Sequence, residues 1–202
     1  MNPTKNPIAL RSQKELANAL LKLMQTTPYA EISVKQILLE SKLSRKTFYR
    51  NFNDKQDLLN YYLDTLLLEY SSEIAIKNDY HFPEMLEVIT RFVLKNQEQL
   101  SLFWSNHLEY MILQKLNEFI IQKHNEIRHN NTTCLDDYIV MLNNGAIWNV
   151  LNEWMRRGRI DSLEQILLEL KEYMLHWNEY DLKHLCSESI VTNEYTKRMN
   201  KD

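Results

Sequence analysis

The sequence predicts an all-α protein, a small three-helix head followed by a longer helical bundle. Three observations carry that expectation. The 202 residues include only 2 Gly and 4 Pro, too few turn formers for a meander of short strands or for Gly-rich phosphate loops. Apolar residues recur at helical spacing, and no segment sustains a period of two. Capping signals stand just ahead of several of those apolar runs. At 44% hydrophobic and 25% charged, the chain can close a sizeable core.

The elements follow in order. Ser12-Gln13-Lys14-Glu15 reads as a capping box opening the first helix, with Leu16, Ala19, Leu20, Leu23 and Met24 on one face, and Thr27-Pro28 ends it. Ser33-Val34-Lys35-Gln36 is a second capping box, opening a short helix that turns Ile37 and Leu38 inward and stops near Ser41. A third helix starts at Ser44, and Asp54 caps a fourth, longer one. Pro83 suits the first turn of a helix running to about Gln97, with a short continuation over Leu100–Trp104. Two long helices are expected over Leu108 to about Arg128 and Leu135 to Arg157, separated by the loop His129–Thr133. The second has apolar residues on more than one face, as burial on two sides requires. Gly158 closes it, Asp161-Ser162 starts a further helix, and residues 180–202 read as a loosely attached helix or a frayed tail.

Charge is divided along the chain. Residues 1–60 carry ten Lys and Arg against five Asp and Glu, a net of +5, while residues 61–202 carry fourteen against twenty-two, a net of −8. A polyanion would therefore meet the head, with the acidic body limiting indiscriminate binding. Only Lys42 and Leu43 separate the second and third helices, which suits a helix-turn-helix whose second member lies in the DNA major groove. That helix has the composition of a reading head: Arg45, Lys46 and Arg50 reach for bases or phosphates while Phe48 and Phe52 anchor the opposite face. Its N-terminus also attracts phosphate.

Ile32-Ser33-Val34-Lys35-Gln36-Ile37, followed by Leu43-Ser44-Arg45-Lys46-Thr47-Phe48-Tyr49-Arg50-Asn51-Phe52-Asn53-Asp54-Lys55, resembles the motif of TetR/AcrR-type transcriptional regulators. The likeness runs tightly from about Arg11 to Leu59. It implies a helix-turn-helix DNA-binding domain over residues 1–54 and a helical ligand-binding and dimerisation domain over 55–202. Residue by residue, it implies phosphate contacts at Tyr49 and Lys55, base readers at Arg45, Lys46 and Arg50, and backbone anchors at Ser33 and Lys35. Ser44 and Thr47 complete the expected DNA face. One departure stands out: the family commonly has Ala-Gly in the turn, and this chain has Ser41-Lys42. Lys42 must then adopt a conformation that glycine takes freely, and its ammonium can touch a phosphate in exchange.

A looser resemblance, from Asn143-Asn144-Gly145-Ala146 through Trp154-Met155-Arg156-Arg157-Gly158 to Ser162-Leu163-Glu164-Gln165, is to the C-terminal domain of one TetR subgroup. It implies a homodimer paired through its last long helices, with Leu151, Trp154, Leu163, Leu167, Leu170 and Met174 at the interface. A pocket for a small-molecule effector is expected among Phe92, Phe103, Trp104, Met111 and Trp148, with Tyr110, Phe119 and Met141 in the same set. The implied function is a dimeric repressor released from a palindromic operator by that effector. The alternative is an interaction module acting through a partner protein.

Other chemistry lacks its signature. The six histidines show no HExxH pair or other close ligand spacing, so no metal is expected, and no cofactor either. No serine lies in a Gly-x-Ser-x-Gly context and no motif surrounds Cys134 or Cys186, so no enzyme is expected. The cysteines read as ordinary thiols in a reducing compartment. With no long apolar run and a polar Met1–Pro7 segment, no membrane span or leader is expected and the location is cytoplasmic.

Overall fold

A computed structural model describes residues 6–77, 82–127 and 134–175. Among these the regular structure is helical: α1 (Pro7–Met24), α2 (Val34–Ser41), α3 (Arg45–Asn51), α4 (Lys55–Lys77), α5 (Phe82–Lys95), α6 (Gln97–Ser105), α7 (Glu109–Ile127), α8 (Cys134–Arg156) and α9 (Leu163–Leu175), with a tight helical turn at Tyr29–Glu31. The expected loop His129–Thr133 and the segment 180–202 lie outside the described residues.

The caps explain most of the boundaries. At α2 the predicted capping box forms: Ser33 Oγ accepts the Gln36 N–H, and Gln36 Oε1 accepts the Ser33 N–H at 2.8 Å. Ser44 Oγ accepts the Thr47 N–H at 3.0 Å, and Asp54 Oδ1 accepts the Asp57 N–H at 2.8 Å. The first helix differs from expectation because it opens five residues earlier, at Pro7, with Asn6 accepting the Ile8 N–H. Proline fits the first helical position, and the supposed capping box is unavailable: Ser12 Oγ donates back to Ile8 O and Glu15 pairs with Arg11. At the far end of α8, Gly158 takes φ +77°, and Arg159 N–H reaches Trp154 O at 3.0 Å to close the helix.

In the head, α1 packs against α2, α3 and α4. Leu16, Leu20, Ile37, Phe48, Phe52, Leu58 and Leu59 are almost wholly buried there, and Phe48 lies against Phe52 at 5.9 Å between ring centroids. In the body, α5 packs on α9, α7 on α8, and α4 on both α5 and α7. Leu86, Val88, Ile89 and Val93 of α5 belong to the same buried core as Leu163 and Leu167 of α9.

Polar side chains tie head to body at the tight turn. Lys55 Nζ donates to the carbonyls of Tyr29, Ala30 and Ile32 at 2.7, 3.0 and 2.8 Å and sits 4.5 Å from the Tyr29 ring centroid. The Tyr29 hydroxyl donates to Gln56 Oε1, and burial, aided by the charge of Asp54, pushes its pKa up to about 12, so it remains a donor at neutral pH. From the body, Asn106 Oδ1 accepts the Tyr29 N–H at 2.6 Å.

Candidate nucleic-acid interface

The reading helix is built by sorting its residues between two faces. Phe48 is fully buried and Asn51 nearly so, the latter donating from Nδ2 to Thr47 O. Arg45, Lys46, Tyr49 and Arg50 point outward into solvent, as do Ser33 and Lys35 at the start of α2. Three cations and a tyrosine therefore share the open face of a short capped helix, the arrangement that phosphate positioning and base readout require. The Arg45 guanidinium lies 5.4 Å from the centroid of the Tyr49 ring, close enough for that ring to steady it. Ser44 Oγ and Thr47 Oγ1 stand 2.8 Å apart, so both hydroxyls are engaged in the cap.

The turn before α3 has the expected strain. Lys42 takes φ +57° and ψ +26°, the left-handed conformation that a non-glycine residue adopts at a cost of about 1 kcal/mol. Its side chain is exposed on the same turn that presents α3.

At Lys55, expected to contact a phosphate, the three donors of the ammonium go to the three carbonyls of the tight turn. Its role in this structure is to hold that turn against α4. The local motif marks the residue but not the partners, which lie 23 to 26 positions away.

Of the residues expected at the dimer surface, Trp154, Leu163 and Leu167 are only 4%, 1% and 2% exposed within one protomer and lie in its core. Trp154 Nε1 also donates to Asp161 O, fixing the α8–α9 connection. Leu151 and Leu170 are half-buried, and the side chain of Met174 lies outside the described residues. Among the described side chains of α8, the open large apolar ones are Tyr138, Met141 and Leu142, at 64%, 45% and 71% exposure. A helical apolar pattern is the same whether it faces an intrachain neighbour or another chain, so the sequence does not separate the two.

The expected pocket residues are spread out. Phe103 is fully buried and stacks on Tyr62, Phe92 lies against Tyr70, and Trp104 stacks on Trp148 at 5.4 Å while donating to Asn152 Oδ1. Met111 is half-buried and receives Gln56 Nε2 at 3.6 Å, Phe119 is half-buried, and Tyr110 and Met141 face solvent. A cleft of about 510 Å³ opens elsewhere, between α5 and α9, over Leu86, Thr90, Arg91, Leu94, Leu167, Leu168 and Lys171. It shares none of the predicted lining.

Among the described residues no group of three or more His, Cys, Asp or Glu could hold a metal ion. No described helix is long and apolar enough to cross a membrane.

Comparison with known proteins agrees with this geometry. Residues 16–62 match the model of "Bacterial regulatory proteins, tetR family". The chain is similar to the HTH-type dhaKLM operon transcriptional activator DhaS of Lactococcus lactis subsp. lactis (strain IL1403), 25% identical over 171 residues that cover 81% of this chain and 89% of that one. Among solved structures, the dihydroxyacetone kinase operon activator DhaS aligns at 23% identity with a TM-score of 0.56, over 83% of this chain and 96% of the other. The fatty acid degradation regulator FadR from Bacillus halodurans aligns at 15% identity with a TM-score of 0.57, over 86% and 97%. The Lactococcus relative is named a transcriptional activator, and the two solved structures share this fold.

Proposed function

We propose that this chain, whose residues 16–62 match the tetR-family model, is a DNA-binding regulator of that kind and works as a homodimer on a near-palindromic operator. The observation that carries the reading is the outward face of α3: Arg45, Lys46, Tyr49 and Arg50 exposed over a buried Phe48. Residues 1–54 bind the duplex and residues 55–202 supply the dimer contact and receive the effector. Tyr138, Met141 and Leu142 of α8 make the contact, because they are the large apolar side chains left open among those described on α8. Two α3 helices then enter successive major grooves about 34 to 36 Å apart, or a modest extension of that distance.

Regulation is release of the operator by a small molecule held in the body. Such a molecule acts only if it binds the dimer with displaced heads better than the dimer poised on DNA. A second reading, activation through a partner protein seated on α8, is favoured by the same exposed residues and by the activator role that the Lactococcus relative's name states.

The test is the stoichiometry on a duplex selected from a random pool. Two protomers per palindrome are expected by sedimentation, and Leu142→Glu should give a folded monomer that binds weakly. One protomer per duplex would defeat the dimer.

A further inference from the structure

The tight turn Tyr29–Glu31 is gripped from two sides. From α4, Lys55 and Gln56 hold its carbonyls and its tyrosine hydroxyl. From α6, a single amide reaches it: Asn106 Oδ1 accepts the Tyr29 N–H at 2.6 Å, while Nδ2 donates to Leu102 O at 2.8 Å and reaches Met24 O at 3.4 Å. Met24 is the last residue of α1 and Tyr29 the first of the turn, so their main-chain groups are among those a helix end leaves without an internal partner. One side chain, 77 residues from Tyr29 and 82 from Met24, reaches both.

Asn106 is itself firmly placed. It caps α6, and the chain then turns through His107 at φ +57°, with Leu108 N–H on Phe103 O at 2.8 Å. Two residues earlier, Trp104 stacks on Trp148 and donates to Asn152, both on α8. A path therefore runs from α8 to Trp104 by ring and hydrogen-bond contacts, along the main chain at the end of α6 to Asn106, and on to the Tyr29 turn by hydrogen bonds, and α8 carries the open apolar residues assigned above to the dimer.

We infer that Asn106 is a positioning residue for DNA recognition: it fixes where each head stands relative to the dimer contact, and so sets which half-site spacing the protein accepts. The inference rests on the dimer reading. Moving one half-site by a base pair shifts it by about 3.4 Å and rotates it by about 35°, which heads held in fixed positions cannot follow. Heads freed from the α6 grip can.

The experiment uses the full chain, the palindrome selected from a random pool, versions of it with one central base pair added or removed, and a duplex carrying a single half-site. The unaltered protein should lose about tenfold or more in affinity when the spacing changes by one base pair. Asn106→Ala should lose less than about threefold, remain a dimer by sedimentation, and bind the single half-site within about twofold of the unaltered protein. Asn106→Asp, which keeps the acceptor for the Tyr29 N–H but not the donors, should fall between the two, and it decides the question if the alanine variant does not fold. An unchanged spacing penalty in a dimeric variant overturns this assignment alone. Loss of half-site binding together with the penalty also overturns it, because Asn106 would then be maintaining the head rather than placing it. An unaltered protein that binds as a monomer fails the dimer reading, and this assignment with it.

Discussion

Head and body solve the same packing problem with opposite surfaces. The head closes a small core around Leu20, Ile37, Phe48 and Phe52 and turns its cations outward on one short helix. The body is acidic overall, buries Trp154, Leu163 and Leu167 within the protomer, and leaves Tyr138, Met141 and Leu142 of α8 open. What the head exposes is charge that a polyanion can neutralise; what α8 exposes is apolar area that only another surface can cover. The proposed function divides the work as the charges are divided, with recognition of DNA in one region and assembly in the other.

The sharpest way to break that division is to empty each core. Phe48→Ala should cost about 3–5 kcal/mol and abolish DNA binding, whereas Trp154→Ala should cost a similar amount while acting on the body. Urea unfolding of each variant, followed by sedimentation, separates these from the interface variant Leu142→Glu, whose exposed site predicts a stability within about 0.5 kcal/mol of the unaltered protein. A large loss of protomer stability in Leu142→Glu would place that residue in a core instead.

Two lysines sharpen the comparison inside the head. Lys55→Ala should lower stability by about 1.5–3 kcal/mol, since it strips a charged donor from three carbonyls. Lys46→Ala should leave stability alone and reduce the slope of log affinity against log salt by about 0.9. A reversed pattern, with the salt slope moving in Lys55→Ala and not in Lys46→Ala, would exchange their roles. Arg50→Ala should cost about 1–3 kcal/mol at one base position and relax the preference there, read from a panel of single-base operator variants.

The smallest effect lies in the turn. Lys42→Gly should raise stability by up to about 1 kcal/mol, because glycine takes a φ near +57° without the Cβ penalty, and it should slightly weaken binding if the ammonium meets a phosphate. Unchanged or lower stability would remove the strain argument. On the body side, the paired hydrogen bonds of Arg156 and Arg157 hold Glu153 down at about 2. A carboxylate depressed in the folded state contributes stability above its unfolded pKa and loses it as pH falls from about 4.5 toward 2, so Glu153→Gln should flatten the acid limb of a pH–stability curve there.

The head was readable in the sequence almost to the residue because its signals are local. The Ser33 capping box, the Ser44 and Asp54 caps and the four-residue spacing of Phe48 and Phe52 each involve neighbours that a helix brings together whatever surrounds it. The start of α1 was misplaced where two local signals compete and proline at Pro7 prevails. Contacts made across the chain were hidden: nothing near Lys55 announces three carbonyl partners, and nothing near Asn106 announces Tyr29. In the body, periodicity identified the buried side of α8 and α9 but carries no information on which chain buries it. For that reason the pattern does not tell a core place for Trp154, Leu163 and Leu167, which the protomer buries, from a place against a partner.

The central claim, that the open face of α3 reads a DNA sequence, is tested most directly by selecting duplexes from a random pool with the full chain and with its Tyr49→Ala, Arg50→Ala variant in parallel. Enrichment of one near-palindromic sequence by the unaltered protein, absent from the variant although the variant remains folded, is the predicted result. Equal enrichment by both, or no enrichment at low salt by either, would contradict it.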